Sequence, residues 1–257
     1  MRDKKLAIVV IFSLLVIFLT MGSISSLAAE KKVYINGIDA SFVPFAYIDE
    51  KGSPTGFDID CVSWIAEEMG FEVKHQPISW DSIVPNLTAK KIDFIASGLS
   101  ITEERKKVID FTIPYWVIDF TVVAREDSTL NIITALSGKY TLAVARGCSA
   151  QGWVQENLVK EGLFGEDKFV NAESALMALN DVASGRSDST IGDDIMLGLA
   201  IKGKPLKILG TIKTGEAYGY GVRKEDQELK ELLNEGLRRL MESPKWEELK
   251  AKWMSSK

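Results

Sequence analysis

The sequence predicts an α/β protein folded as two lobes, each a mixed sheet flanked by helices. Three observations carry this. After Lys32, short runs rich in β-branched and aromatic residues alternate with runs of helical period, the pattern of an α/β chain. The alternation falls into two sets of about 90 residues, a common size for a small domain. The segments joining the sets, PYWVIDFTVVAR and EAYGYGVRK, are strand-like and carry no Pro/Gly/Ser-rich linker, which predicts two extended hinge strands. The lobes are expected at about residues 31–117 with 219–257, and at 121–215.

The chain opens with MRDKKLAIVVIFSLLVIFLTMGSISSLAAEKK: a basic start, an uncharged apolar run from Leu6, and small residues around Ser26, Ala28 and Ala29. This is the pattern of a cleaved export signal over residues 1–29. A retained membrane anchor is the alternative, because Leu6 to Ala29 is long enough to span a bilayer at about 20 residues. No cysteine closely follows the run, so lipid attachment at a new N-terminal Cys is not expected. In the first set, KVYING reads as a strand and YIDEKGSPTGF as a turn-bearing connection around Gly52 and Pro54. DIDCVSWIAEEMG reads as a helix, with Ile59, Val62, Ile65, Ala66 and Met69 at helical spacing and Gly70 as its stop. FEVKHQPIS is a strand, DSIVPNLTAKK a short helix, and IDFIASG a buried strand. The second set runs YTLAVARG as a strand, SAQGWVQENLVKEG and ESALMALNDVASG as helices, and SDSTIGD as a strand. The segment EDQELKELLNEGLRRLMESPKWEELKAKW is helical, with Leu229, Leu232, Leu233, Leu237 and Leu240 spaced for one buried face, a stripe that Trp246, Leu249 and Trp253 continue.

Composition narrows the function. With 46% hydrophobic and 26% charged residues the chain is an ordinary folded protein, not a disordered one. Its net charge of −5 becomes −7 once residues 1–29, with three basic and one acidic side chain, are removed. That argues against nucleic acid. Cys61 and Cys148 are the two cysteines, so there is neither a disulfide framework nor a CxxC metal pair. The single histidine, His75, shares a strand face with Phe71 and Val73 and is read as structural or exposed. No cofactor or metal is expected.

The stretch SGLSITEERKKVIDF, Ser97 to Phe111, holds the strongest local signal. Ser100 with Glu103 has capping-box spacing, and Thr102 is a second N-cap candidate. Free backbone N–H groups at such an end attract negative charge, Arg105 adds a two-pronged donor suited to a carboxylate, and Gly98 lets backbone approach closely. Together with GFDIDCVSWIAEEMG, Gly56 to Gly70, with VPFAY before it and WDSIVPNLTAKKIDFIASGLSITEERKKVIDFTIPYW after it, the chain resembles the polar amino-acid family of extracellular (periplasmic) solute-binding proteins of ABC transporters. The similarity covers nearly all of the chain after the signal. Cys61 departs from the motif, which usually has a larger aliphatic residue there.

The resemblance implies a periplasmic-binding-protein-like fold that closes on one amino acid. An arginine matching Arg105 takes the ligand carboxylate and an aspartate matching Asp193 takes the ammonium, the adjacent Asp194 leaving a register ambiguity of one. Backbone and hydroxyl donors fall on Ser97, Gly98, Ser100 and Ser149. Gly147, Cys148 and Ser149 stand where the family often has Gly-Thr-Thr, and Cys148 is read as a small tolerated substitution. Side-chain recognition falls on Asp39, Phe42 and Trp80, and DASFVPFAY is also a turn-rich loop just after a strand, where sites of open α/β sheets form. The implied partners are an L-amino acid, basic or glutamine-like, and a permease with its ATPase. The protein is expected to be an exported monomer, periplasmic or extracellular, and not an enzyme. A cyclohexadienyl dehydratase-like enzyme and a sensor acting through a partner are the alternatives. The enzyme would need a general acid such as Asp39.

Overall fold

The computed structural model describes residues 31–254, so the predicted export signal lies outside the described residues. Among the described residues no helix is long and apolar enough to cross a membrane. In chain order the first half runs β1 (Val33–Ile38), β2 (Ser41–Phe42), β3 (Ala46–Ile48), β4 (Pro54–Thr55), α1 (Phe57–Met69), β5 (Glu72–Pro77), α2 (Trp80–Thr88), β6 (Phe94–Ile95), α3 (Glu103–Lys106), β7 (Asp110–Phe111) and β8 (Trp116–Arg125). The second half adds α4 (Ile132–Ala135), β9 (Leu142–Ala145), α5 (Ser149–Val154), β10 (Phe169–Ala172), α6 (Ala175–Ala183), β11 (Ser189–Asp193), α7 (Asp194–Ala200), β12 (Leu206–Tyr218), β13 (Gly221–Val222), α8 (Gln227–Glu242) and α9 (Pro244–Met254).

These strands build two five-stranded mixed sheets, the expected two-lobed α/β architecture. The first has the order β5-β1-β6-β13-β7 and the second β10-β9-β11-β8-β12. β1, β5 and β6 run parallel, as do β9, β10 and β11, while β13 and the long pair β8 and β12 are antiparallel to their neighbours. Parallel order follows from the sequence: each of these strands is followed by a helical segment that carries the chain back along the sheet. β8 fills most of the predicted crossing PYWVIDFTVVAR, whereas the other, EAYGYGVRK, holds only the last three residues of β12 and then β13.

In the first lobe α1 buries Phe57, Cys61, Val62 and Ile65, while α8 buries Leu229, Leu233, Leu237 and Leu240. The helices approach so closely that a Cβ on Gly236 would lie 2.4 Å from Ile65 Cγ2, so only glycine fits there. Trp246 and Leu249 on α9 extend the buried stripe as predicted, and Asp60 accepts from Lys252 Nζ (2.6 Å) and Trp253 Nε1 (2.7 Å), tying α9 to α1. The second lobe buries Phe120, Val122, Leu142, Val144, Leu179, Val182 and Ile191. His75 is structural, its Nδ1 3.1 Å from the Asn36 amide across the β1–β5 pair.

Four local expectations need correction. The connection YIDEKGSPTGF is not merely a turn; β3 pairs with β4 on one side and with β2 on the other in a small antiparallel sheet. The expected strand IDFIASG contracts to two residues, because the backbone from Ser97 turns off to pair with the end of β12. The segment SAQGWVQENLVKEG leaves α-helical form after Val154 and continues as a π turn over Gln155–Val159. The last long helix is two helices, broken at Ser243, because Pro244 lacks the N–H and opens α9 instead.

Candidate functional site

The carboxyl ends of β1, β5 and β6 in the first lobe and of β9 and β11 in the second meet at a cleft, where open α/β sheets place their ligands. The two sides touch. Ser100 Oγ lies 3.0 Å from Ser149 Oγ, Arg105 Nη2 donates to the Gly147 carbonyl (3.1 Å), and Arg146 pairs with Asp81 (3.2 Å). Between them is a cavity whose empty space, open mouth included, is about 460 Å3. Asp39, Phe42, Trp80, Gly98 and Ser100 line it from the first lobe. Cys148, Ser149 and Asp193 line it from the second, with a wall of Ala145, Ala150, Ala175, Ile191 and Gly192.

Seven of the nine predicted site residues therefore share this cavity, and Ser97 and Arg105 stand behind its surface. The Ser97 hydroxyl accepts from the Asp39 amide (2.9 Å), so it fixes the loop after β1. The Arg105 guanidinium donates to the Ser100 carbonyl (2.9 Å) as well as to Gly147, and lies 5.2 Å from the centre of the Trp80 ring. Burial pulls Arg105 below its ordinary pKa, and the nearby Glu216, Cys148, Asp193 and Tyr218 act in the other direction.

The capping box expected at Ser100 and Glu103 is not formed. Thr102, the second candidate, is the N-cap, its Oγ1 accepting from the Arg105 amide (3.2 Å), and α3 is a single turn. One turn adds little aligned dipole. The Ser100 hydroxyl is released to point across the cleft instead.

Asp39 accepts from both the amide and the hydroxyl of Ser41 (2.9 Å each), and burial raises its pKa against those bonds. Phe42 and Trp80 are near-parallel, with centroids 6.4 Å apart. Asp193 ends β11 and accepts from the Tyr218 hydroxyl; burial raises its carboxyl to about 7, with Glu216 and Asp194 adding to the rise and Arg105 opposing it. Asp194 instead accepts from the amides of Ile195 (2.9 Å) and Asp119 (3.3 Å), and it does not line the cavity. Cys148 does line it, its Sγ accepting from the Gln151 amide (3.3 Å) as the cap of α5, while burial pushes the thiol up to about 11. It is a neutral, unreactive wall group at ordinary pH.

Sequence reasoning missed Asp58 and Tyr218. Asp58 is fully buried under the cavity floor, accepting from the Gly98 amide (2.7 Å) and the Tyr115 hydroxyl (2.9 Å). It sits inside the motif GFDID, and its place in the first turn of a helix, where a buried carboxylate is rare, was the available signal. Tyr218 lies in a hinge segment with no signal of its own.

Residues 34–256 match the family model for bacterial extracellular solute-binding proteins, family 3. The L-arginine-binding protein of Pseudomonas aeruginosa is 32% identical over 262 residues, covering 98% of this chain and 97% of that protein. An ancestral arginine-binding protein bound to arginine has a similar structure, with a TM-score of 0.80 at 30% identity, covering 88% of this chain and 100% of the other. AncCDT-1, an ancestral amino acid-binding protein and precursor of cyclohexadienyl dehydratase, matches with a TM-score of 0.77 at 30% identity over 87% of this chain and 96% of its own.

Proposed function

The chain belongs to family 3 of the bacterial extracellular solute-binding proteins, and from that premise we propose that it captures a free polar L-amino acid, arginine or lysine first and glutamine next, for an ABC importer. The observation that carries this is a cleft with two unlike ends. On one side Arg105, behind the cavity surface, holds the Ser100 carbonyl beside the facing hydroxyls of Ser100 and Ser149. On the other stands the buried carboxyl of Asp193. A zwitterion's carboxylate and ammonium fit such a pair. Asp39, Phe42 and Trp80 then surround the side chain. A second carboxyl favours a cationic or amide side chain and repels an acidic one. The L-arginine-binding relative and the arginine-bound ancestral structure support the same ligand class.

In this reading the lobes are about residues 31–117 with 219–257, and 121–215, and they close about β8 and β12. Closing on two linkers restricts the motion to a hinge. The protein is exported, acts as a monomer, and docks on a permease with its ATPase. An enzymatic reading has less support, since AncCDT-1 is itself an amino acid-binding protein.

Competition calorimetry with arginine, lysine, histidine, glutamine, glutamate and leucine tests the proposal. Arginine or lysine should bind tightest, and Asp39→Asn should narrow their lead over glutamine. Arg105→Ala should weaken arginine by about two to four orders of magnitude, the loss expected when a buried charge is stranded. Tightest binding of glutamate or leucine would refute the ligand class.

A further inference from the structure

Tyr218 closes β12, and three different parts of it touch three different parts of the cleft. Its backbone pairs with Ser100, and the pairing is continued by bonds from the Ile101 amide to the Ala217 carbonyl (2.8 Å) and from the Gly219 amide to the Leu99 carbonyl (3.1 Å). Its ring is fully buried against Phe45 (5.1 Å between centroids) and Tyr115 (6.3 Å), and a Cβ on Gly98 would lie 3.3 Å from its Cε2. Its hydroxyl donates to Asp193 Oδ2. Tyr218 is thus packed and paired in the first lobe while its tip holds a carboxylate of the second.

We propose that Tyr218 is a positioning residue of the amino-acid site. Its hydroxyl fixes the Asp193 carboxylate to receive the ligand ammonium, and its ring and backbone tie that carboxylate to Gly98 and Ser100 at the opposite end of the ligand. The proposal rests on the reading of the cleft as an amino-acid site. The physical argument concerns geometry and charge together. A carboxylate free to turn loses part of a directed contact, and a hydroxyl donor favours the charged form of its acceptor. Asp193 needs that help. Its neighbours are Glu216 on β12 and Asp194 at its own strand end, both of which oppose its ionisation; Arg105 on α3 favours it, and the Cys148 thiol on the same wall stays neutral. Glu216 lies two residues before Tyr218, on the same face of β12, and its Oε1 is buried without a protein partner. The Tyr218 hydroxyl therefore favours the charged form of Asp193 against the repulsion of its acidic neighbours.

The test uses the exported chain without residues 1–29, labelled with 13C at aspartate carboxyls, with Asp193 assigned through Asp193→Asn. Carbon-detected titration reports the Asp193 midpoint directly, and calorimetry with arginine reports affinity between pH 6 and 8.5. In Tyr218→Phe the ring packing is kept and one donor is lost. The midpoint should rise by about one unit, the size of a lost bond to a charged group. Arginine affinity should fall about fivefold at pH 7, with the gap to wild type narrowing towards pH 8.5. A merely structural role would lower affinity equally at every pH. An unchanged midpoint, or a gap flat with pH, overturns the proposal. If Tyr218→Phe does not fold, site-specific fluorotyrosine at 218, a stronger donor, should move the midpoint down, and failure to do so overturns it equally. A wild type that binds no amino acid sinks the functional reading instead, and the midpoint still decides whether Tyr218 holds Asp193.

Discussion

Asp58 spends one carboxyl oxygen on the Gly98 amide and the Tyr115 hydroxyl, and its other oxygen is buried without a partner. Burial raises its pKa from 3.8 to about 7, the two bonds pulling the other way. The folded protein therefore keeps a proton on Asp58 at pH values where the unfolded chain has lost it, and stability declines as pH rises from about 4 to about 7. Asp193, also raised to about 7, works in the same sense, whereas His75, lowered to about 4 by burial, is neutral where the unfolded chain is charged and adds stability as pH rises to about 6.5. Asp58→Asn separates these effects. The amide keeps the acceptor for Gly98 and Tyr115, sets a neutral donor at the orphaned position, and does not titrate. Melting temperatures of the two proteins should diverge in the variant's favour between about pH 4 and 7, by roughly 2–4 °C per kcal/mol for a chain this size. A constant difference across that range would show that Asp58 ionises normally. At this scale the sequence was most informative where a motif names the residue: Arg105 stands out within SGLSITEER, whereas Asp193 came only from the family resemblance, with Asp194 left open beside it. Asp58 lies in an equally legible motif, yet its role depends on which amide stands over it, and that is decided 40 residues away.

Gly98 shows the same limit for an element. It turns the chain out of β6 at φ 57°, and a Cβ there would lie 2.3 Å from Phe42 Cε1. Gly98→Ala should cost about 1–2 kcal/mol for the left-handed conformation alone, and it should also push Phe42 away from Trp80. Arginine should lose more affinity than glutamine, because the long cationic side chain makes more use of the two rings. Calorimetry beside thermal melts decides this; unchanged affinity with a normal fold would detach Phe42 from the ligand. The long helices α1 and α8 and the strands β1, β9 and β11 were readable because apolar periodicity persists along them, with Gly70 marking the end of α1. β6 and α3 were misjudged because each is ruled by a distant neighbour. β6 is cut short by the partner of Ser100, and α3 is capped by Thr102 because the Ser100 hydroxyl points to Ser149.

At the scale of the whole molecule, the two lobes are joined at the mouth by Arg146 and Asp81, 3.2 Å apart, with Arg146 58% and Asp81 30% exposed. A pair this wet is worth about 0.2–1 kcal/mol, and salt weakens it. Arg146→Ala or Asp81→Asn should weaken every bound amino acid by the same small factor, up to about fivefold. The change should appear mainly in the dissociation rate and vanish in high salt. Stopped-flow release at two ionic strengths measures it, and a change in ligand ranking would mean that the pair touches the ligand. The sheet order has another consequence, one of timing. β13, at residues Gly221–Val222, lies between β6 and β7 in the first sheet, although the whole second sheet has been written into the chain before it. The strands of the second sheet, β8 to β12, come from one continuous stretch and can pair as they emerge. The first sheet cannot close until a strand about 110 residues beyond β7 has arrived, a long loop to close and a slow kind of contact to make. A chain emerging from its N-terminus would present Arg105 early on an unfinished sheet, and the two sides of the cleft would face each other only when the chain is nearly complete.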